Sequence, residues 1–278
     1  MNANETHCMQ FLRDADPDRY LSVLYAPEDK RGALAALYAF NAEVARIRDL
    51  VHDPLPGEVR LQWWRDLING KEHGAATGNP VAAALLHTVK AHGLPRTALD
   101  NYCEARIFDL YDDPMPSRND LEGYCGETAS AMIQLASLIL DADAAPAHAD
   151  TAGHAGVAQA VAGLLRLLPL HRRRRQVYIP ADILAAVGAS AAMVLDGSDK
   201  AATRRAIDAM VALAEDHLSK FEAAAKSLPA TLRPAYLPAS LTRTYLKKLK
   251  SNRSDAANEV ADISPLGRQW AMFKASVR

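Results

Sequence analysis

Five consecutive basic residues, His171-Arg172-Arg173-Arg174-Arg175, form the densest charge run in the chain. Arginine carries a planar fork of N–H donors and stays charged at physiological pH. A cluster of arginines therefore suits a phosphate, a diphosphate or an acidic lipid head group without an intervening metal. A solvated helix C-terminus, where the macrodipole favours positive charge, is the plainer account of the same run. Acid chemistry has thinner support. Asp49 and Asp53 are spaced like two carboxylates on one helix face, but Pro54 follows at once and reads as ending that helix. A second cluster, Asp109, Asp112 and Asp113, runs into Pro114 and Pro116. Cys8, Cys103 and Cys125 have neither zinc spacing nor a disulfide-rich pattern, which fits a reducing compartment. His87 and His92 straddle a helix end, which is poor ligand geometry, so no metal site is expected.

Several function classes are excluded. The chain lacks the Gly-rich phosphate loops G-x-x-x-x-G-K-S/T and G-x-G-x-x-G, the G-x-S-x-G elbow and H-E-x-x-H. A net charge of -1 over 278 residues gives no reason to expect a nucleic-acid partner. Hydrophobic residues make up 49% and charged residues 23%, ordinary values for a soluble globular chain. No apolar run approaches the roughly 18 residues of a membrane span. The first residues, Met1 to His7, resemble neither a signal nor a transit peptide. The expected location is the cytoplasm, or the mitochondrial matrix if a targeting segment has been removed.

The elements that must position these residues read as helices. Apolar positions recur every three or four residues in 31–50, 58–68, 80–92, 96–111, 126–140, 153–168 and 201–227, while strand-type alternation is nearly absent. Proline and glycine punctuate between them. The spacing predicts an all-α fold of about eight to twelve helices, with residues 1–17 as an N-terminal extension and 18–278 as a single domain. Residues 141–151 are the best loop candidate. Arg60-Leu61-Gln62-Trp63-Trp64-Arg65 reads as a core anchor, and the small residues after Tyr124-Cys125 as a bend or close packing around a cavity. Residues 241–253 interleave Leu241, Tyr245, Leu246 and Leu249 with Arg243, Lys247, Lys248, Lys250 and Arg253. That pattern serves either the last helix of a bundle or a peripheral membrane contact, and Trp270, Met272 and Phe273 follow in a basic tail.

Arg19-Tyr20, Leu37-Tyr38-Ala39-Phe40, Tyr124-Cys125-Gly126-Glu127-Thr128-Ala129 and Tyr178-Ile179-Pro180-Ala181-Asp182 together resemble the squalene/phytoene synthase family over roughly residues 18–250. The resemblance implies an isoprenoid-synthase bundle around a central apolar cavity. In that family two D-x-x-x-D stretches face each other and hold magnesium against a prenyl diphosphate. Here the first stretch has Ala45, Arg46 and Asp49 at the family's acidic positions, and Asp53 beyond. The second, matched to D-x-x-x-D-x-x-x-G-R-x-Y-x-P, has Leu167 and His171 for the acids and Arg175-Gln176 for Gly-Arg. Leucine and histidine cannot replace hard oxygen ligands. Ala39-Phe40-Asn41-Ala42-Glu43, Leu61-Gln62-Trp63-Trp64 and the arginine run resemble most the branch that serves assembly of respiratory complex I. The resemblance thus implies a non-catalytic binding or assembly role at the inner membrane, with no cofactor. Its partners would be a prenyl or lipid-like ligand and a complex I subunit or assembly protein. Arg46, Arg48, His171, Arg172 and Arg175 are the candidates for anion contact. Two alternatives stand beside it: a magnesium-dependent transferase condensing two prenyl diphosphates, and a carrier of a lipid or quinone-like ligand.

Overall fold

Alanine and leucine at helical spacing decide the architecture. The described residues of this computed structural model are 1–71, 78–251 and 256–277, and among them every regular element is helical. Sixteen α-helices follow in order: α1 (Ala3–Ala15), α2 (Pro17–Leu24), α3 (Glu28–Ala45), α4 (Pro54–Ile68), α5 (Pro80–His92), α6 (Arg96–Ala105), α7 (Arg118–Cys125), α8 (Ala131–Leu140), α9 (Ala149–Arg166), α10 (Leu168–Arg173), α11 (Ala181–Ala186), α12 (Ala191–Asp196), α13 (Lys200–Ala224), α14 (Arg233–Ser240), α15 (Thr242–Lys250) and α16 (Pro265–Ser276). This exceeds the eight to twelve expected, because six-residue helices such as α10, α11 and α12 are too short to show a 3.6-residue period.

The small side chains of α3 let neighbours approach it closely, and Leu34, Leu37 and Phe40 are fully buried there. Helices α1, α5 and α8 pack around it. The stretch expected as an N-terminal extension belongs to this core, since α1 buries Cys8 and Leu12. Trp64 is the anchor foreseen, edge-on to Phe40 at 5.0 Å, while Trp63 lines a side pocket with Phe11 and Arg46. On the other side α9 and α13 run against each other. A π-helical turn, Gly126–Ser130, joins α7 to α8 and is crossed by α9 at Gly156.

Three local departures shape the site. The helix expected over 31–50 stops at Ala45: the Arg46 N–H is shared between the Ala42 and Glu43 carbonyls, both at 3.3 Å, and a 3-10 turn, Ile47–Leu50, follows. Likewise 96–111 divides into α6 and the 3-10 turn Arg106–Leu110. Pro54 does not end a helix but starts α4, with Asp53 at its N-cap position, because a proline at the first turn gives up no needed N–H. The loop expected over 141–151 is largely a 3-10 turn, Ala145–His148, leading into α9.

The basic stretch 241–253 is a bundle helix with a solvated back. In α15 Tyr245, Leu246 and Leu249 are buried, while Arg243 pairs with Glu222 and Lys250 with Glu215, both on α13. Arg253 lies outside the described residues.

A Cβ on Gly156 would overlap the Ser130 backbone, whereas one on Gly153 meets nothing within 4 Å. Gly156→Val is therefore expected to destabilise the fold by about 3 kcal/mol, as overpacking does. Gly153→Ala should be neutral or stabilising by about 0.5 kcal/mol or more. Urea unfolding followed by circular dichroism checks both.

Candidate functional site

The C-terminal end of α3, its 3-10 extension, α2, α7, the end of α9, α10, α15 and α16 surround a cavity of about 430 Å³. Two short elements govern its shape. Leu167 is the joint where α9 stops, and Pro169 opens α10, so the chain turns and presents Leu167, Leu170, His171 and Arg174 inward. Across from them stand Ala45, Arg46, Arg48 and Asp49. The positions at which the resemblance places acids, Ala45, Arg46, Asp49, Leu167 and His171, thus line one space. Its wall mixes apolar side chains with seven arginines (19, 46, 48, 106, 166, 174 and 268) and four aspartates (16, 18, 49 and 109).

Asp109 is buried beside this space. Its Oδ1 accepts hydrogen bonds from the Tyr124 and Tyr178 hydroxyls, each at 2.8 Å, and its Oδ2 accepts one from Arg106 at 3.0 Å. Arg106 also donates to the Tyr124 and Tyr102 hydroxyls, and Tyr102 donates to Asn41 of α3. Gln176 donates to the Asp109 carbonyl at 2.5 Å. Burial, with the Asp109 carboxylate beside them, pushes both Tyr124 and Tyr178 well above the ordinary tyrosine range, so both remain donors at any physiological pH.

Every cavity carboxylate is taken by an arginine. Asp16 pairs with Arg19 at 2.6 Å, Asp49 with Arg174 at 2.5 Å, Asp109 with Arg106, and Asp18 with Arg268. Asp18 also accepts from the Tyr245 hydroxyl. A magnesium cluster needs several carboxylates free to converge. Among the described residues no three His, Cys, Asp or Glu side chains are grouped to hold a metal ion. This donor set does not fit the family's metal. It fits an anion instead, because cationic capacity is left over. Arg46 lies over the Phe11 ring at 5.7 Å and Arg166 over Tyr245 at 4.6 Å, and neither forms an ion pair among the described residues. The Nε atoms of Arg48 and Arg166 are buried without a hydrogen-bond partner.

The sequence-derived candidates divide. Arg46, Arg48 and His171 line the cavity, with Arg48 also 3.4 Å from Asp112. Arg172 points away, because one residue along a helix turns by about 100°. It donates to the Leu195 and Ala257 carbonyls and to Asn258, so it ties α10 to α12 and to the segment before α16. Arg175 is exposed, on a left-handed backbone with φ 60° that follows α10. Arg174 takes the inward place these two were expected to share. His171 contributes no cation: burial lowers its pKa to about 4, with Asp109 opposing and Arg174 reinforcing the shift. Asp49 survives only as the partner of Arg174, and Asp53 is an exposed N-cap outside the cavity. Sequence reasoning did not single out Arg106, Arg166 or Arg268, and it placed Arg19 and Gln176 only among the family words. It treated Tyr124 and Tyr178 only as family words and Asp109 only as a spare acid.

The family model described as squalene/phytoene synthase matches residues 12–267. The chain belongs to the squalene/phytoene synthase family. Among its relatives, complex I assembly factor 6 of Bos taurus is 31% identical over 250 residues, covering 90% of this chain and 74% of that one. The Drosophila melanogaster homolog of that factor is 30% identical, covering 88% and 75%. A dehydrosqualene synthase solved with a ligand shares the fold at 17% identity, with a TM-score of 0.80 over 99% of this chain and 95% of that one. Squalene synthase HpnC from Alicyclobacillus acidocaldarius shares it at 19% identity, with a TM-score of 0.73 over 92% and 95%.

Two outcomes follow from the geometry. Asp109→Ala strands a buried guanidinium and two hydroxyls and is expected to cost about 3–5 kcal/mol, measured by chemical denaturation. Between pH 6.5 and 4 the unfolded chain binds a proton at His171 that the folded chain refuses, so stability rises with pH across that window and levels off above it. The contribution is at most about 3 kcal/mol. His171→Gln should flatten most of that slope in unfolding experiments run from pH 4 to 8. His92 and His154, whose pKa values burial also lowers, add slope of the same sign.

Proposed function

We propose that this chain is a synthase-fold protein that no longer transfers prenyl groups and acts as an assembly factor for respiratory complex I. One observation carries the reading: every carboxylate in the central cavity is held by an arginine, while Ala45, Leu167 and His171 occupy three of the family's acidic positions. Ionising an allylic diphosphate requires strong neutralisation of the leaving group at a dry site, supplied in this family by metal on carboxylates. Relatives named complex I assembly factor 6, about 31% identical over most of the chain, support the assembly role. The place of work that follows is the surface of the membrane holding complex I. No helix among the described residues is long and apolar enough to cross it.

The same cavity supports a ligand within that role. Arg46, Arg48, Arg166 and Arg174 offer donors to an anionic head, and Leu164, Leu167 and Leu170 offer an apolar wall to what is attached. A prenyl or other lipid-like anion has that chemistry. Its part would be to stabilise the bundle or to be presented to a partner.

The test has two arms. Purified protein with farnesyl or geranylgeranyl diphosphate is expected to release no diphosphate above background, with or without magnesium and NADPH. A deletion strain is expected to lose assembled complex I on native gels and to regain it with Asp49→Asn as fully as with the unaltered gene. Magnesium-dependent release, or failure of an Asp49→Asn protein that folds and accumulates like the unaltered one to restore the complex, overturns the reading.

A further inference from the structure

Helix α16 has two unlike faces. Its inner face buries Met272 beside Leu241, Tyr245 and Ile263. The same face sends Arg268 to Asp18 and Asp262, where it closes one wall of the central cavity. Its outer face carries Leu266, Trp270, Phe273 and Val277 at spacings of four, three and four, which is one stripe along a helix. These side chains are 78%, 59%, 48% and 66% exposed. Trp270 and Phe273 stack at 6.0 Å, and the Lys274 ammonium lies 4.8 Å from the Trp270 ring. Leu24 and Tyr25, one turn beyond the Leu21 that packs under α16, are exposed as well. Single exposed apolar residues are ordinary, whereas a continuous stripe with two aromatic rings marks a contact surface.

Charge identifies the occupant. Residues 233–278 hold nine basic and three acidic side chains, a net of +6, and so leave −7 on the first 232 residues. Between Ile263 and Arg278 there is no acid at all. The pairs of Arg243 and Lys250 with α13 use part of this excess, while Lys274 is set against an aromatic ring. An indole and a phenyl ring pointing outward beside a lysine are the side chains that settle at the head-group level of a bilayer, with the ammonium among the phosphates. An anionic lipid surface answers both the apolar stripe and the positive charge. We propose that α16 docks the protein on such a surface, lying on it and not crossing it, so that only one helix separates the lipid head groups from the arginine-lined cavity.

The proposal deepens the membrane-surface location given above, but its test does not depend on complex I. The full chain is sedimented with vesicles of phosphatidylcholine alone and of phosphatidylcholine mixed with phosphatidylglycerol. Binding is expected to the anionic vesicles, to weaken with salt, and to be far lower on neutral ones. The double variant Trp270→Ser, Phe273→Ser should lose about tenfold or more of that binding. Because both side chains are exposed, its circular dichroism and unfolding midpoint should match the unaltered chain. Lys274→Glu should lower binding to anionic vesicles only. Brominated lipid should quench tryptophan fluorescence in the unaltered chain and not in Trp270→Leu. The proposal is overturned if the unaltered chain stays in the supernatant with both vesicle types, or if the double variant binds as well as it does. It is equally overturned if the stripe proves to be covered by a second copy, so that the double variant converts a dimer that ignores vesicles into a monomer.

Discussion

A carboxylate taken out of water in the middle of a helical bundle must find its counter-charge there, and Asp109 is where this chain meets that demand. The 3-10 turn after α6 delivers Asp109 and Arg106 side by side, α7 brings Tyr124, and the segment before α11 brings Tyr178. Tyr102 extends the chain of hydrogen bonds to Asn41 in α3, and Gln176 closes it from the backbone side. Such a network is stable only when every member is satisfied. It therefore fixes the relative placement of four parts of the chain that sequence order keeps far apart. It also keeps the centre open, since ionic groups held in this way cannot collapse into an apolar core.

The same logic describes what replaces a metal. In a metal-bridged site, two carboxylate-bearing walls are joined through cations that both share. Here the wall formed by α3 and its extension is joined to α10 directly, through Asp49 and Arg174 at 2.5 Å. Guanidinium is a cation attached to the protein, so the link needs no ion from solution and does not depend on metal supply. What it gives up is adaptability: a magnesium ion exchanges ligands as charge moves during a reaction, whereas an arginine side chain keeps one reach and one plane of donors.

Much of the fold was legible in the sequence, and the reasons are local. Leucine and alanine at helical spacing, with Pro80 before and Gly93 after, marked α5 as found, and the structure adds the Asn79 cap and the left-handed conformation of Gly93. The family positions Leu167 and His171 could be placed by counting from Tyr178 and Pro180, and Ala45 from the stretch that begins at Tyr38, and they do face one cavity. Residues of the arginine run could not be sorted by type. Whether Arg172, Arg174 or Arg175 points inward depends on where α10 ends and on one left-handed residue, and six helical residues leave no periodic trace of either. Arg106, Arg166 and Arg268 were invisible for another reason. Arg106 opens a 3-10 turn, Arg166 ends α9 and Arg268 lies within α16, and only the meeting of distant elements makes each part of a site. The break of α3 at Ala45 escaped for a similar reason, as the apolar positions continue through Ile47 without a proline or glycine to signal a change.

The three cysteines carry a consequence of a different kind. All are free thiols inside the core, and burial raises Cys8 and Cys125 to about 12 and Cys103 higher still. Thiols so protonated and so enclosed are poor nucleophiles. They sit in three different helices, in α1, in α6 and at the end of α7. The folded chain should therefore resist alkylation, and the rate at which each sulfur reacts reports how often its own part of the bundle opens. The protein carries three internal clocks for local unfolding, placed by packing alone.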